Sequence, residues 1–250
     1  MDALLELDSV CLSFGGLAAL NEVSFKVQPG EIVGLIGPNG AGKTSLVNAC
    51  TGVHAPSHGT IRFGGQVISG MPEHRMARLG MARTFQIVQP FPDMTVIENV
   101  TAAALFGGGM RALREAREFA AAQLAFVGLD AHIDKPASNL SLAHRKRLEL
   151  AKSLALKPKL VWLDEVNAGL NSDDLAGTLH LIRQISARGI TIVMIEHLMK
   201  VVLGVSSRIL VLKGGSIIAD GAPMEVMRDP QVVDAYLGAN YTREGARIHA

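Results

Sequence analysis

Apolar and polar positions alternate along Leu4-Leu5-Glu6-Leu7-Asp8-Ser9-Val10 and again along Val23-Ser24-Phe25-Lys26-Val27. A period of two sends successive side chains to opposite faces, so both stretches predict strands, paired around the Gly15-Gly16 turn region. Glu31-Ile32-Val33-Gly34-Leu35-Ile36, Leu160-Val161-Trp162-Leu163-Asp164-Glu165 and Thr191-Ile192-Val193-Met194-Ile195 carry short unbroken apolar runs instead. Runs of that length predict strands buried on both faces. Hairpins are predicted for Thr60–Phe63 with Gln66–Ile68 across Gly64-Gly65, and for Arg208–Leu212 with Ser216–Asp220 across Lys213-Gly214-Gly215.

Helical spacing appears elsewhere. Ser45–Cys50 reads as the first turns of a helix, and Thr95–Leu105 as another, closed by Gly107-Gly108-Gly109. Arg111–Val127 aligns Leu113, Ala116, Ala120, Leu124 and Val127 on one face. Residues 82 to 92 are expected to be extended, because Pro90 and Pro92 forbid a helix at their end. Ser172 is a predicted helix cap, with Asp173 and Asp174 matching the helix dipole. The predicted fold is α/β. A core of 1–86 and 158–250 carries an N-terminal antiparallel β part, and a helical insert spans 87–157. Residues 241–250 are polar and are expected to fray.

Composition narrows the picture. Hydrophobic residues make up 48% but aromatic ones only 4%, the aliphatic core of proteins that wrap parallel strands in helices. Lys+Arg 24 against Asp+Glu 23 gives no basic excess and no reason to expect nucleic acid as a partner. Cys11 and Cys50 share no metal-like spacing and no disulfide framework, so a reducing compartment is expected. The first residues lack the basic-then-apolar pattern of a signal peptide. Apolar runs stop at Asp164-Glu165 and Glu196-His197, so any membrane link is expected to go through a partner.

The chemistry concentrates in Gly37-Pro38-Asn39-Gly40-Ala41-Gly42-Lys43-Thr44, which fits the phosphate-cradling pattern G-x-x-x-x-G-K-[ST]. It lies between a predicted strand and a predicted helix. Glycines at 37, 40 and 42 let the backbone of Asn39, Gly40, Ala41 and their neighbours curl with N–H groups inward. The helix that begins at Ser45 adds its positive end. Lys43 is expected to reach the β- and γ-phosphates of a nucleoside triphosphate, and Thr44 to hold Mg2+. Asp164 and Glu165 close a strand at the rim where open α/β sheets place ligands. An acid there holds magnesium through water, and the next polarises the attacking water. His197 closes another strand as an expected γ-phosphate sensor, and Gln86 is a further metal or water-positioning group. Phe14 either stacks on a base or is an ordinary strand aromatic. His54, His58, His74, His132, His180 and His249 are read as structural.

With these residues in view, the chain resembles ABC-transporter ATPases from about residue 4 to 238, and most of all the branched-chain amino acid importer group. The resemblance is carried by Ser13–Leu20 at the aromatic base-stacking position, by the phosphate loop and by Ala82–Gln86. Met94–Val100, Leu160–Glu165, Ala168-Gly169-Leu170-Asn171, Ile195-Glu196-His197 and Tyr236-Leu237-Gly238 extend it. It implies a phosphate-loop NTPase fold that binds ATP and Mg2+ and hydrolyses ATP. It also implies a head-to-tail dimer with an identical or paralogous ATP-binding subunit. Membrane permease subunits are the implied partners, a periplasmic solute-binding protein acts indirectly, and the location is the cytoplasmic face of the inner membrane. Leu140-Ser141-Leu142-Ala143-His144 stands at the signature that meets the other subunit's ATP, and Ser141 reads independently as a helix cap. The family's usual Leu-Ser-Gly-Gly-Gln is altered here at Ala143 and His144, and Val166 stands where proline is usual.

Overall fold

The computed structural model describes residues 2–85, 88, 90–166 and 172–237. In chain order the first elements are strands β1 (Leu5–Phe14), β2 (Leu17–Val27) and β3 (Ile32–Ile36), helix α1 (Lys43–Thr51), and strands β4 (His58–Phe63) and β5 (Gln66–Val67). Next come α2 (Glu73–Leu79), β6 (Met81–Arg83), α3 (Val96–Phe106), α4 (Leu113–Phe126), α5 (Leu142–Ala155), β7 (Leu160–Asp164) and α6 (Ser172–Ala187). The chain closes with β8 (Thr191–Ile195), α7 (Met199–Val205), β9 (Arg208–Lys213), β10 (Ser216–Gly221), α8 (Pro223–Val226) and α9 (Pro230–Leu237). Two compact units result, Met1–Met71 with Val193–Ala250 and Pro72–Ile192.

In the first unit, β1 and β2 pair antiparallel from Leu5↔Val27 to Phe14↔Leu17, and β4 adds on the other side of β1 in a sheet ordered β2-β1-β4-β5. Both strands run longer than the alternation predicts, because register shifts between Leu7 and Ser13 break the strict period without ending the ladder. The strand β3 lies parallel to β9, with Ile36 opposite Val211, and β10 turns back antiparallel on β9. Val33, Leu35 and Ile36 are fully buried, as are Ile209, Val211 and Leu212. An apolar run buried on both faces is what a parallel strand requires. Ile36, Val202, Ile209, Val211, Val226 and Val232 form one cluster, so α7, α8 and α9 pack behind the strand that feeds the phosphate loop.

In the second unit, β6 and β7 run parallel, with Arg83 opposite Trp162. All five residues of β7 are buried. Helices α3, α4 and α5 pack on one another. The start of α3 is written into its sequence as a capping box, in which Thr95 accepts from the Glu98 N–H and Glu98 accepts from the Thr95 N–H. Fully buried Asn99 ties the entry loop down, accepting from Phe91 N–H and donating to the carbonyls of Phe91, Met94 and Thr95.

Two expectations need correction. Leu113 is 65% exposed, whereas Ala116, Ala120, Leu124 and Val127 of the same predicted face are buried. Leu113 is the first residue of α4, beyond the reach of the neighbours that cover the later turns. Helix α6 begins at Ser172 itself, so among the described residues Ser172 is its first residue and not the cap before it. The expectations for Gln86, for Ala168–Asn171, for Gly238 and for 241–250 lie outside the described residues.

Candidate nucleotide site

The loop after β3 is shaped by backbone that side chains would block. At Gly37, with φ +153°, an added Cβ would lie 2.1 Å from the Leu212 carbonyl oxygen. At Gly42, with φ +104°, it would lie 2.6 Å from the Ala19 carbonyl oxygen. Gly40 has φ +77° with open space around it. Its curl is held from within by Ala41 N–H donating to Pro38 O at 3.2 Å, and from β10's turn by Gly215 N–H donating to Ala41 O at 2.9 Å.

Gly42 caps α1 without a side-chain hydrogen bond, and the helix has no acid in its first turn. The first-turn N–H groups and the positive end of the dipole are thus left for an anion. Lys43 is buried, and its Nζ donates to Gly37 O at 2.7 Å and Pro38 O at 3.0 Å. Its ammonium therefore lies inside the curl that it is expected to share with phosphate. Thr44 is exposed and Ser45 half-buried, with Asn39 and Gly40 exposed at the loop's crest. These donors fit a polyphosphate: a backbone nest, one lysine and one hydroxyl. Phe14 is 46% exposed, its ring edge-on to His54 at 5.0 Å between centroids. His197 is exposed beyond β8, next to buried Glu196.

The second unit holds the acids. Buried Asp164 ends β7, and its Oδ2 pairs with the Arg83 guanidinium at 3.2 Å. Its N–H donates to Thr84 Oγ1 at 3.0 Å. Arg83 in turn lies over the Phe85 ring at 5.1 Å. Half-buried Glu165 sits at φ +47°. That left-handed backbone costs a residue with a Cβ about 1–2 kcal/mol. Ser141 caps α5 as its sequence position predicts, accepting from His144 N–H at 3.3 Å, and stays exposed. The His144 ring lies 4.4 Å from that of His132.

Comparison with known proteins meets this geometry. The family described as ABC transporter matches residues 20–168. A protein of Escherichia coli strain K12, the high-affinity branched-chain amino acid transport ATP-binding protein LivG, is 41% identical over 94% of this chain and 98% of its own length. The chain belongs to the ABC transporter family. It is one of that family's ATP-binding, ATP-hydrolysing subunits. The family described as branched-chain amino acid ATP-binding cassette transporter also matches residues 216–242. The corresponding protein of Pseudomonas aeruginosa, BraF, is 39% identical over 94% of this chain and 98% of its own. A crystal structure of a nucleotide-free ATP-binding cassette from an ABC transporter superposes with a TM-score of 0.86 at 30% identity, covering 94% of this chain and 99% of that one. These cassettes have the phosphate-loop NTPase fold that the resemblance implies, and its α/β class agrees with the hydrophobic pattern.

ABC transporter subunits of this kind bind nucleotide and serve membrane components. Among the described residues no helix is long and apolar enough to cross a membrane. Several residues around the cassette's motifs escaped the sequence reading. His54, read as structural, touches Phe14; Arg83 pairs with Asp164; and Lys146 Nζ donates to the Glu165 carbonyl at 3.0 Å. Burial pushes the Tyr236 hydroxyl's pKa up, opposed by a backbone hydrogen bond from Gly37. None of these pairs carries a local signal, because the partners lie 19 to 199 residues apart in the chain.

Proposed function

We propose that the chain is the ATP-hydrolysing subunit of an importer for branched-chain amino acids or related small solutes. The observation that carries the ATP reading is the loop of Gly37 and Gly42, whose bare Cα atoms leave a curl closed around the Lys43 ammonium. The cargo reading is supported by the similarity to LivG and BraF across nearly the whole chain.

Each residue has its role. Gly37, Asn39, Gly40, Ala41, Gly42, Thr44 and Ser45 cradle the phosphates, and Lys43 exchanges its loop carbonyls for β- and γ-phosphate oxygens. Phe14 stacks on the base. Thr44, Gln86 and, through water, Asp164 hold Mg2+, hard oxygen donors suited to that ion. Magnesium held by these residues would offset the negative charge of the phosphates. Glu165 takes the proton of the water whose oxygen attacks the γ-phosphorus while the bridging P–O bond breaks and ADP departs. His197 donates to the γ-phosphate. Ser141 and the α5 N–H groups serve the nucleotide held by a second subunit, identical or paralogous. Residues 87–157 act as the signature subdomain between core segments 1–86 and 158–250. Permease subunits are the membrane partners, with a solute-binding protein contacting them from the periplasm. The chain sits peripherally on the cytoplasmic face of the inner membrane.

ATP turnover of the full chain tests this. Glu165→Gln should lower kcat by about 10²–10⁴-fold, the usual contribution of a positioned base. Parental turnover in that variant would remove Glu165 from the role.

A further inference from the structure

Glu165 keeps a left-handed backbone, a conformation that persists only where surrounding contacts fix it. One such contact comes from α5. Lys146 Nζ donates to the Glu165 carbonyl oxygen at 3.0 Å, and so orients the peptide plane between Glu165 and Val166. Farther along the same helix, Ser153 Oγ donates to the Arg83 carbonyl oxygen of β6 at 3.1 Å. Lys146 and Ser153 are seven residues apart, two helical turns, and therefore share one face of α5. Arg83 is itself the partner of the Asp164 carboxylate. One face of the helix capped by Ser141 thus holds the carbonyl of Glu165 and the carbonyl of Arg83, the residue that pairs with Asp164.

We propose that Lys146 is a positioning residue for Glu165. It holds the residue's backbone where the carboxylate must stand to take a proton from water, and it ties that placement to the Ser141 end of α5. A movement of α5 then reaches Glu165 through the Lys146 hydrogen bond from the helix's second turn. This rests on the reading of Glu165 as the water-polarising base.

Lys146 is half-buried and, with Ala143, Leu150, Val166 and Leu181, lines a small hollow. Methionine is unbranched and shorter than lysine, so in its place it adds no volume and is not overpacked.

The test measures kcat and KM for ATP in the full chain for Lys146→Met, Lys146→Arg, Glu165→Gln and the Lys146→Met/Glu165→Gln pair, with thermal unfolding alongside. Lys146→Met should lower kcat about 10- to 100-fold, the cost of a misplaced reacting group, with KM and the unfolding midpoint close to parental. Lys146→Arg, which keeps a donor, should recover most of the loss. On the Glu165→Gln background Lys146→Met should cost nothing further. A full additional loss on that background overturns the proposal, as does a fall in kcat that merely tracks a fall in melting temperature. Parental kcat in Lys146→Met beside a crippled Glu165→Gln overturns the proposal alone, whereas parental kcat in Glu165→Gln overturns the base reading beneath it.

Discussion

Gly37 and Gly40 both fit the phosphate-loop pattern, yet their backbones meet different surroundings. A methyl at Gly37 would press on the Leu212 carbonyl, 2.1 Å away, while one at Gly40 would meet nothing within 4 Å and suffer only its φ of +77°. Gly37→Ala is therefore expected to destabilise the chain by about 2–5 kcal/mol, from overpacking together with backbone strain. Gly40→Ala should cost about 1–2 kcal/mol. Urea unfolding of the two variants checks the order, and equal losses would remove the close approach as the reason for glycine at 37. The sequence alone ranks the two alike, because the Leu212 carbonyl belongs to a strand 175 residues away.

At the scale of an element, α3 shows how a local code becomes a pH-dependent contribution. Hydrogen bonds from the Thr95 backbone and hydroxyl hold the Glu98 carboxyl below its ordinary value. A folded value below the unfolded one means stability that is present above the ordinary glutamate pKa of 4.5 and is lost as pH falls through the folded value. The stability gap between the parental chain and Glu98→Gln should therefore be widest near neutrality. It should close as acid protonates the carboxylate, as denaturant melts at successive pH values will measure. Thr95→Ala removes the cap itself and should cost about 0.5–2 kcal/mol at pH 7. The box's pattern stands in Thr95-Val96-Ile97-Glu98, although the helical spacing counts Thr95 within the helix and not as its cap. The exposure of Leu113 on α4 was not legible, because periodicity marks an apolar face without saying where its cover ends.

For the whole molecule, the proposed work depends on two copies closing on ATP, a ligand-biased equilibrium between open and closed states. Glu165→Gln should accumulate the closed state because bound ATP persists. Light scattering should then show the full chain doubling in mass when ATP and Mg2+ are added, with no doubling in ADP. A mass that stays unchanged would direct the search to a paralogous subunit as the partner. The near balance of charge leaves association to nucleotide and shape, since neither sign is in excess to steer it.

The order of residues by itself determined the phosphate loop, the buried strands and the caps of α3 and α5. Each of these rests on an interaction spanning a few residues: a glycine's freedom at its own φ, a run of apolar side chains, a hydroxyl reaching an N–H three positions on. Tertiary structure alone decided that Arg83 meets Asp164 and that Lys146 reaches the carbonyl of Glu165. Those pairs form only when separate strands and helices pack, and a cation's spacing in the chain says nothing about which distant oxygen it will satisfy.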